Sequence, residues 1–281
     1  MTSMRSVRSA ARSAAGSGLK AVAAAADLVR PPAPGVTVLI YHRVGRRAAV
    51  EMDLDPAVFD AQMAELAASG RVVDLDAALG MLDGSGARPA FDPVVVTFDD
   101  GTADFADVAV PILERHGVPA LMYLATGFLD DGTAVPFDGT PLSWAAARDA
   151  LTSGVVTYGS HTHTHALLDR LPAPEATDEL DRSIDRIATE TGTAPRHFAY
   201  PKAVPGSRAA ERVVRSSFVS AALAGNGTNR AANVDLHRLR RTPVRRSDSA
   251  AVFAARARGG MRLEGSLRST ATVFRFRRSS V

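Results

Sequence analysis

The chain has no cysteine. Disulfides and thiolate metal sites are therefore excluded, and any metal must sit on His, Asp or Glu. Long apolar runs are also missing. The longest near the start is Ala21–Ala26, far short of the ~20 residues that a membrane-spanning helix needs. No internal repeat or long low-complexity tract stands out. No nucleic-acid-binding motif is found either, and the acidic middle of the chain argues against a nucleic-acid partner. What is present is enough for a core: 46% of the 281 residues are apolar, which suits one sizeable domain with short extensions.

Charge is unevenly spread. Residues 1–30 carry five bases and one acid, residues 31–229 carry 15 bases and 26 acids, and residues 230–281 carry 13 bases and three acids. The ends are thus +4 and +10 around a body of −11. Basic ends suggest an anionic partner such as a membrane surface; the alternative is Arg-rich composition with solvated helix faces. Leu19–Val29 reads as a short Ala-rich helix stopped by Pro31-Pro32. Its bases are dispersed and its apolar stretch is short, so it resembles an interfacial helix more than a cleaved signal peptide. The expected location is cytoplasmic, peripheral on the inner membrane face.

Continuous apolar, β-rich runs mark strands buried on both faces: Val36–Tyr41, Pro93–Phe98, Ala120–Leu124 and Val155–Tyr158, with His197–Tyr200 and Phe218–Leu223 following. Between them, helical periodicity is expected over Pro56–Ser69, Leu75–Leu82, Phe105–His116 (despite Pro111), Ala145–Leu151, Pro174–Glu190 and Arg208–Ser216. Alternation at short spacing predicts an α/β fold with a mostly parallel sheet. The polar candidates all lie where strands end, which favours a barrel with its site at the C-terminal mouth. The tail after about Ser247 has weak patterning.

Two motifs carry chemistry. Thr97-Phe98-Asp99-Asp100-Gly101 places adjacent carboxylates at the end of an apolar strand, where they are costly to bury unpaired; a polar turn or helix cap is the alternative. Gly159-Ser160-His161-Thr162-His163-Thr164-His165 holds three of the seven histidines within five residues, a pattern that favours a metal with an open coordination position. In an extended strand all three histidines would share a face. In a turn His161 and His165 would align and His163 would point away, and Ala166-Leu167-Leu168 favours the turn.

T-F-D-D-G followed about sixty residues later by H-T-x-x-H resembles the polysaccharide deacetylase family, with its NodB-type domain (carbohydrate esterase family 4). Val38–Val44, the Phe59–Gly70 helix, Val110–Leu113 and Phe198–Pro201 occur in the same order in that family. The resemblance covers roughly residues 36–245. It implies a distorted (β/α) barrel, a basic N-terminal extension and linker over 1–35, and a basic tail over 246–281. By position it implies Asp99 as general base and Asp100, His161 and His165 as ligands of one divalent ion, zinc or a similar metal. It also implies an oxyanion- or substrate-binding turn at Tyr200, Pro201 and Lys202. Leu39-Ile40-Tyr41-His42 matches the family's late L-x-x-H motif but comes first, as in the circularly permuted branch, which makes His42 the expected acid. The surroundings of His237 resemble the family's terminal L-x-R-x-x-V segment instead. Three departures stand out: Ala166 replaces a Pro, Ala199 stands where other members carry an Arg (Arg196 being a candidate substitute), and Lys202-Ala203 replaces a Gly. The implied activity is removal of N-acetyl groups from an N-acetylhexosamine-containing glycan; the alternative is a non-catalytic glycan-binding protein on the same fold.

Overall fold

The computed structural model describes residues 18–86 and 91–267. The chain begins with helix α1 (18–29) and strand β1 (Thr37–Tyr41), followed by the short strands β2 (Arg43–Val44) and β3 (Asp53–Leu54), helices α2 (Pro56–Ala68) and α3 (Leu75–Asp83), and strand β4 (Val94–Phe98). Then come α4 (Val110–His116), β5 (Ala120–Leu124), α5 (Thr126–Asp131), α6 (Trp144–Leu151), β6 (Val156–Ser160) and α7 (Ala173–Thr191). The described chain ends through β7 (His197–Ala199), α8 (Arg208–Ser217), β8 (Ser220–Ala222), β9 (Thr242–Pro243), α9 (Ala250–Ala257) and a helical stretch at 262–267.

The main sheet runs β8-β7-β6-β5-β4-β1-β9, and every pairing is parallel. Each of β1, β4 and β5 is buried throughout, as their unbroken apolar sequences require once helices cover the outside. The curl closes through one short segment. Leu239 bridges Ala222 of β8, while Thr242 and Pro243 pair with Leu39 and Ile40 of β1. Residues 239–243 thus join the two edges of the sheet and give the distorted barrel.

Alternation on the strands sorts the core into two layers. Leu39, Tyr41, Val96 and Phe98 pack outward with Phe59, Met63 and Leu66 of α2. Val38, Val95, Leu121, Tyr123 and Ala222 form a second cluster with Leu75, Leu79 and Leu82 of α3. Local signals set the helix ends. Asp55, Asp74, Ser143, Ser207 and Ser249 accept backbone N–H bonds as N-caps. Pro111 does not break its helix. A π-turn over Phe105–Ala109 precedes it, so the proline falls in the first turn of α4, where its missing N–H costs little.

The described stretch from 246 onward, read from sequence as the start of a tail, packs on the barrel. Phe253 and Ala257 of α9 join the outer core. Arg256 pairs with Asp248 and Glu264, and Lys20 of α1 reaches Asp248 at 2.8 Å. Among the described residues no helix is long and apolar enough to cross a membrane.

Candidate active site

β4 ends with its backbone tied to β1, the Asp99 N–H donating to the Tyr41 carbonyl. The next two residues take left-handed backbone, Asp100 at φ 76° and Gly101 at φ 87°. Asp tolerates this region better than most residues. At Gly101 a Cβ would also meet Leu124 at 3.0 Å. This kink turns the two adjacent carboxylates in different directions, and both are buried.

The histidine segment is a turn. Thr162 and His165 are both left-handed, at φ 66° and 61°. Glu179 of α7 holds the turn from one side, accepting from the His163 and Thr164 backbone N–H groups and the Thr164 hydroxyl. From the other side the Gly127 N–H donates to the His163 carbonyl at 2.7 Å. His161 and His165 therefore converge, and His163 points away to Thr126 and Arg182. Strain concentrated in such a turn persists only when its surroundings over-determine it.

The Nε2 atoms of His161 and His165 lie 3.6 and 3.4 Å from Asp100 Oδ1. All three ligand atoms lie within 4.8 Å of one another. The Ala199 carbonyl can only accept, so the His161 Nδ1 bonded to it at 2.7 Å carries the proton. The Nε2 lone pair then faces Asp100. Burial pushes the His161 pKa down to about 4, against the pull of Asp99, so the ring is neutral at pH 7. Burial opposes ionisation of Asp100, but the hydrogen bond from His165 and the nearby His42 and His161 hold its pKa well below the ordinary carboxylate range. A lone pair and a carboxylate oxygen facing each other at this separation call for a cation between them. Donors ~2.0–2.1 Å from a tetrahedral zinc stand about 3.3–3.4 Å apart, close to what is found.

Asp99 has a different partner. Arg241 grips it with both terminal nitrogens, Nη1 to Oδ1 at 2.6 Å and Nη2 to Oδ2 at 2.9 Å. Burial alone would raise the Asp99 pKa; the Arg241 charge brings it below the usual value. Arg241 is itself completely buried and lies 4.9 Å over the Tyr123 ring. Sequence reasoning missed this role. It weighed Arg196, which is exposed and pairs with Asp76 instead. The signal was the L-x-R-x-x-V segment, here Leu239–Val244, whose Arg falls in the barrel-closing stretch.

These groups open into one cavity of about 380 Å³ lined by His42, Asp99, Asp100, His161, His165, Lys202, Ala203 and Arg241. His42 follows β1, beside the end of β4. Glu51, Met52, Pro136 and Phe137 also line it and were not foreseen. Tyr200 and Pro201 are not among the lining residues. Tyr200 is buried against Phe198, and its N–H donates to Ala222. They support the turn in which Lys202 and Ala203 are left-handed, φ 54° and 55°. The Ala203 and Val204 N–H groups are used within that turn. Among the described residues the Lys202 N–H is the turn's free backbone donor.

This is a barrel with a carboxylate–histidine cluster at the C-terminal mouth of its parallel strands, the usual seat of chemistry in such folds. Residues 87–216 match the polysaccharide deacetylase family. A deacetylase from Streptococcus pyogenes, PplD, solved with acetate, has the same fold at TM-score 0.69 and 22% identity, over 80% of this chain and 99% of that one. IcaB from Ammonifex degensii gives 0.68 and 22%, over 80% and 97%. A de-N-acetylase from Aggregatibacter actinomycetemcomitans gives 0.62 and 18%, over 78% and 98%. The chain has no significant match among curated protein sequences. The family match covers just under half of the chain and contains both the Asp99-Asp100 and the His161–His165 motifs.

Proposed function

We propose that the chain is a divalent-metal-dependent hydrolase that removes N-acetyl groups from an N-acetylhexosamine-containing glycan. The observation that carries this reading is the convergence of Asp100, His161 and His165 beside an Asp99 held by Arg241, all on one cavity. A de-N-acetylase and an acetate-bound deacetylase share the fold, which supports this reading.

Asp100, His161 and His165 would hold the metal, zinc or a similar divalent ion. Such an ion supplies Lewis acidity towards a carbonyl and acidifies water. Asp99 is the base. Its carboxylate has lone pairs left after Arg241 takes two, so it can accept the proton of the attacking water while its orientation stays fixed. The Lys202 N–H would donate to the oxyanion that forms as water adds to the acetamide carbon. His42 is the acid. An amide nitrogen leaves only as an amine, so the C–N bond breaks with transfer of a proton from His42 to the nitrogen. Acetate and the free amino sugar are the products.

The test is acetate release from N-acetylglucosamine oligomers by metal-loaded protein. The reading expects stoichiometric acetate and amine from the native chain and far less from Asp99→Asn. Glycan binding with no acetate release from metal-loaded native protein would instead mark a non-catalytic binding protein.

A further inference from the structure

Nine large apolar side chains are exposed among the described residues, and five of them lie on two short segments. Val22, Leu28 and Val29 of α1 are 57, 86 and 88% exposed, and Leu263 and Leu267 of the 262–267 stretch are 40 and 53%. The two segments meet. Asp27 accepts from the Met261 N–H, and Arg262 reaches back to Asp27 and to the Arg30 carbonyl.

Beside this junction lies a hollow of about 260 Å³, lined by Ala33, Thr228, Asn229, Arg230, Arg240 and Arg262 among others. Arg238, on its rim, is matched by Glu211, and Arg262 by Asp27. Arg230 and Arg240 are exposed and have no carboxylate partner among the described residues. In the sequence, residues 1–17 hold three arginines, residues 268–281 hold four, and neither has an acid.

We propose that this face docks on an anionic lipid bilayer, with Leu28 and Val29 entering the interface and Arg230 and Arg240 meeting lipid phosphates. Apolar side chains flanked by unpaired arginines have the two signals that reversible membrane attachment needs. Charge alone would suit any polyanion; the cluster of exposed aliphatic residues selects lipid. The hollow adjoins the start of β1 through the Val36–Asn229 bridge, whereas the cavity lies at the end of β1. Docking here leaves the mouth of the barrel facing away from the bilayer, open to a glycan.

The experiment is co-sedimentation of the full chain with phosphatidylcholine vesicles with and without phosphatidylglycerol. At about 10 mM salt the screening length is about 30 Å, and at 150 mM about 8 Å. Binding should require phosphatidylglycerol and weaken as salt rises. Leu28→Ser with Val29→Ser should weaken binding by about tenfold or more per inserted side chain. Arg230→Glu with Arg240→Glu should weaken it by about fivefold or more per arginine. Neither pair should alter acetate release from soluble oligomers, which shows that the variants are folded. Absence of binding at low salt overturns the proposal. So does binding that falls with the arginine pair, is unchanged by Leu28→Ser with Val29→Ser, and is matched by soluble heparin; that outcome would mark a polyanion surface.

Discussion

Arg241 at the mouth of the barrel and Arg256 on its flank are both buried, and each holds an aspartate through two nitrogens. They differ in how the charge is finished. On the flank, Asp248 and Glu264 are balanced by Arg256 and Lys20, a neutral set of four. At the mouth, Asp99 and Asp100 face one arginine, and His161 is held neutral. The flank is a saturated staple that fastens α1 and α9 to the barrel. The mouth keeps a surplus negative charge and free lone pairs on a cavity wall. The same ion-pair chemistry is thus complete on the flank, whereas at the mouth Arg241 is taken up by Asp99 and Asp100 faces histidines alone.

Breaking the mouth should have the largest effect. His161→Ala is expected to lose both stoichiometric divalent metal and acetate release, measured on the same sample by metal analysis and product assay. His163→Gln should keep its metal, because His163 turns towards Thr126 and Arg182. Loss of metal in His163→Gln alone would reverse the assignment. Next comes Asp99→Asn, which should retain metal but lose about 10²–10⁴-fold in rate, the span of a general base; loss of metal instead would mean that the roles of the two aspartates are exchanged.

Breaking the flank should cost stability and leave the chemistry alone. Asp248→Asn leaves Arg256 and Lys20 short of a carboxylate, at about 3 kcal/mol and on the order of 10 °C in Tm. Burial opposes ionisation of Asp248, but hydrogen bonds from Arg256 and Lys20 bring its folded pKa below the ordinary value. Its contribution is therefore full above the unfolded pKa of about 3.9 and is lost as pH falls through the lower folded value. Denaturation of both proteins across that range should show the difference shrinking towards acid. A constant difference would mean that the pair is not what holds the flank.

A difference between two substrates separates His42 from the rest. His42→Ala should lose about 10²–10⁴-fold on an acetamide but about tenfold or less on an activated aryl acetate, whose leaving group needs no proton. Equal losses on both would make His42 a structural residue.

The strands and both chemical motifs were legible because their signals are local: mostly apolar runs for β1, β4 and β5, and adjacent carboxylates or closely spaced histidines at strand ends. The histidine segment was readable as turn or strand. What decides it is Glu179 and the Gly127 N–H, which approach from other elements and leave no mark in the segment itself. Arg241 escaped for the same reason, since it meets Asp99 across 142 positions of sequence. Arg196 lies near Pro201 in the chain, but barrel closure is what brings residues 239–243 to the mouth. Helix α9 was missed because it is short and Phe253 is its one large core residue, too little for a periodic pattern. Its Ser249 cap was the available signal.

The central claim, that the surplus charge at the mouth is completed by a metal that the deacetylation needs, is tested most directly by metal removal and return. Acetate release from N-acetylglucosamine oligomers would be followed on native protein, after chelation, and during titration with zinc. The account predicts loss of activity with the metal and recovery that saturates at one equivalent per chain. Undiminished acetate release from protein shown to be metal-free would contradict it.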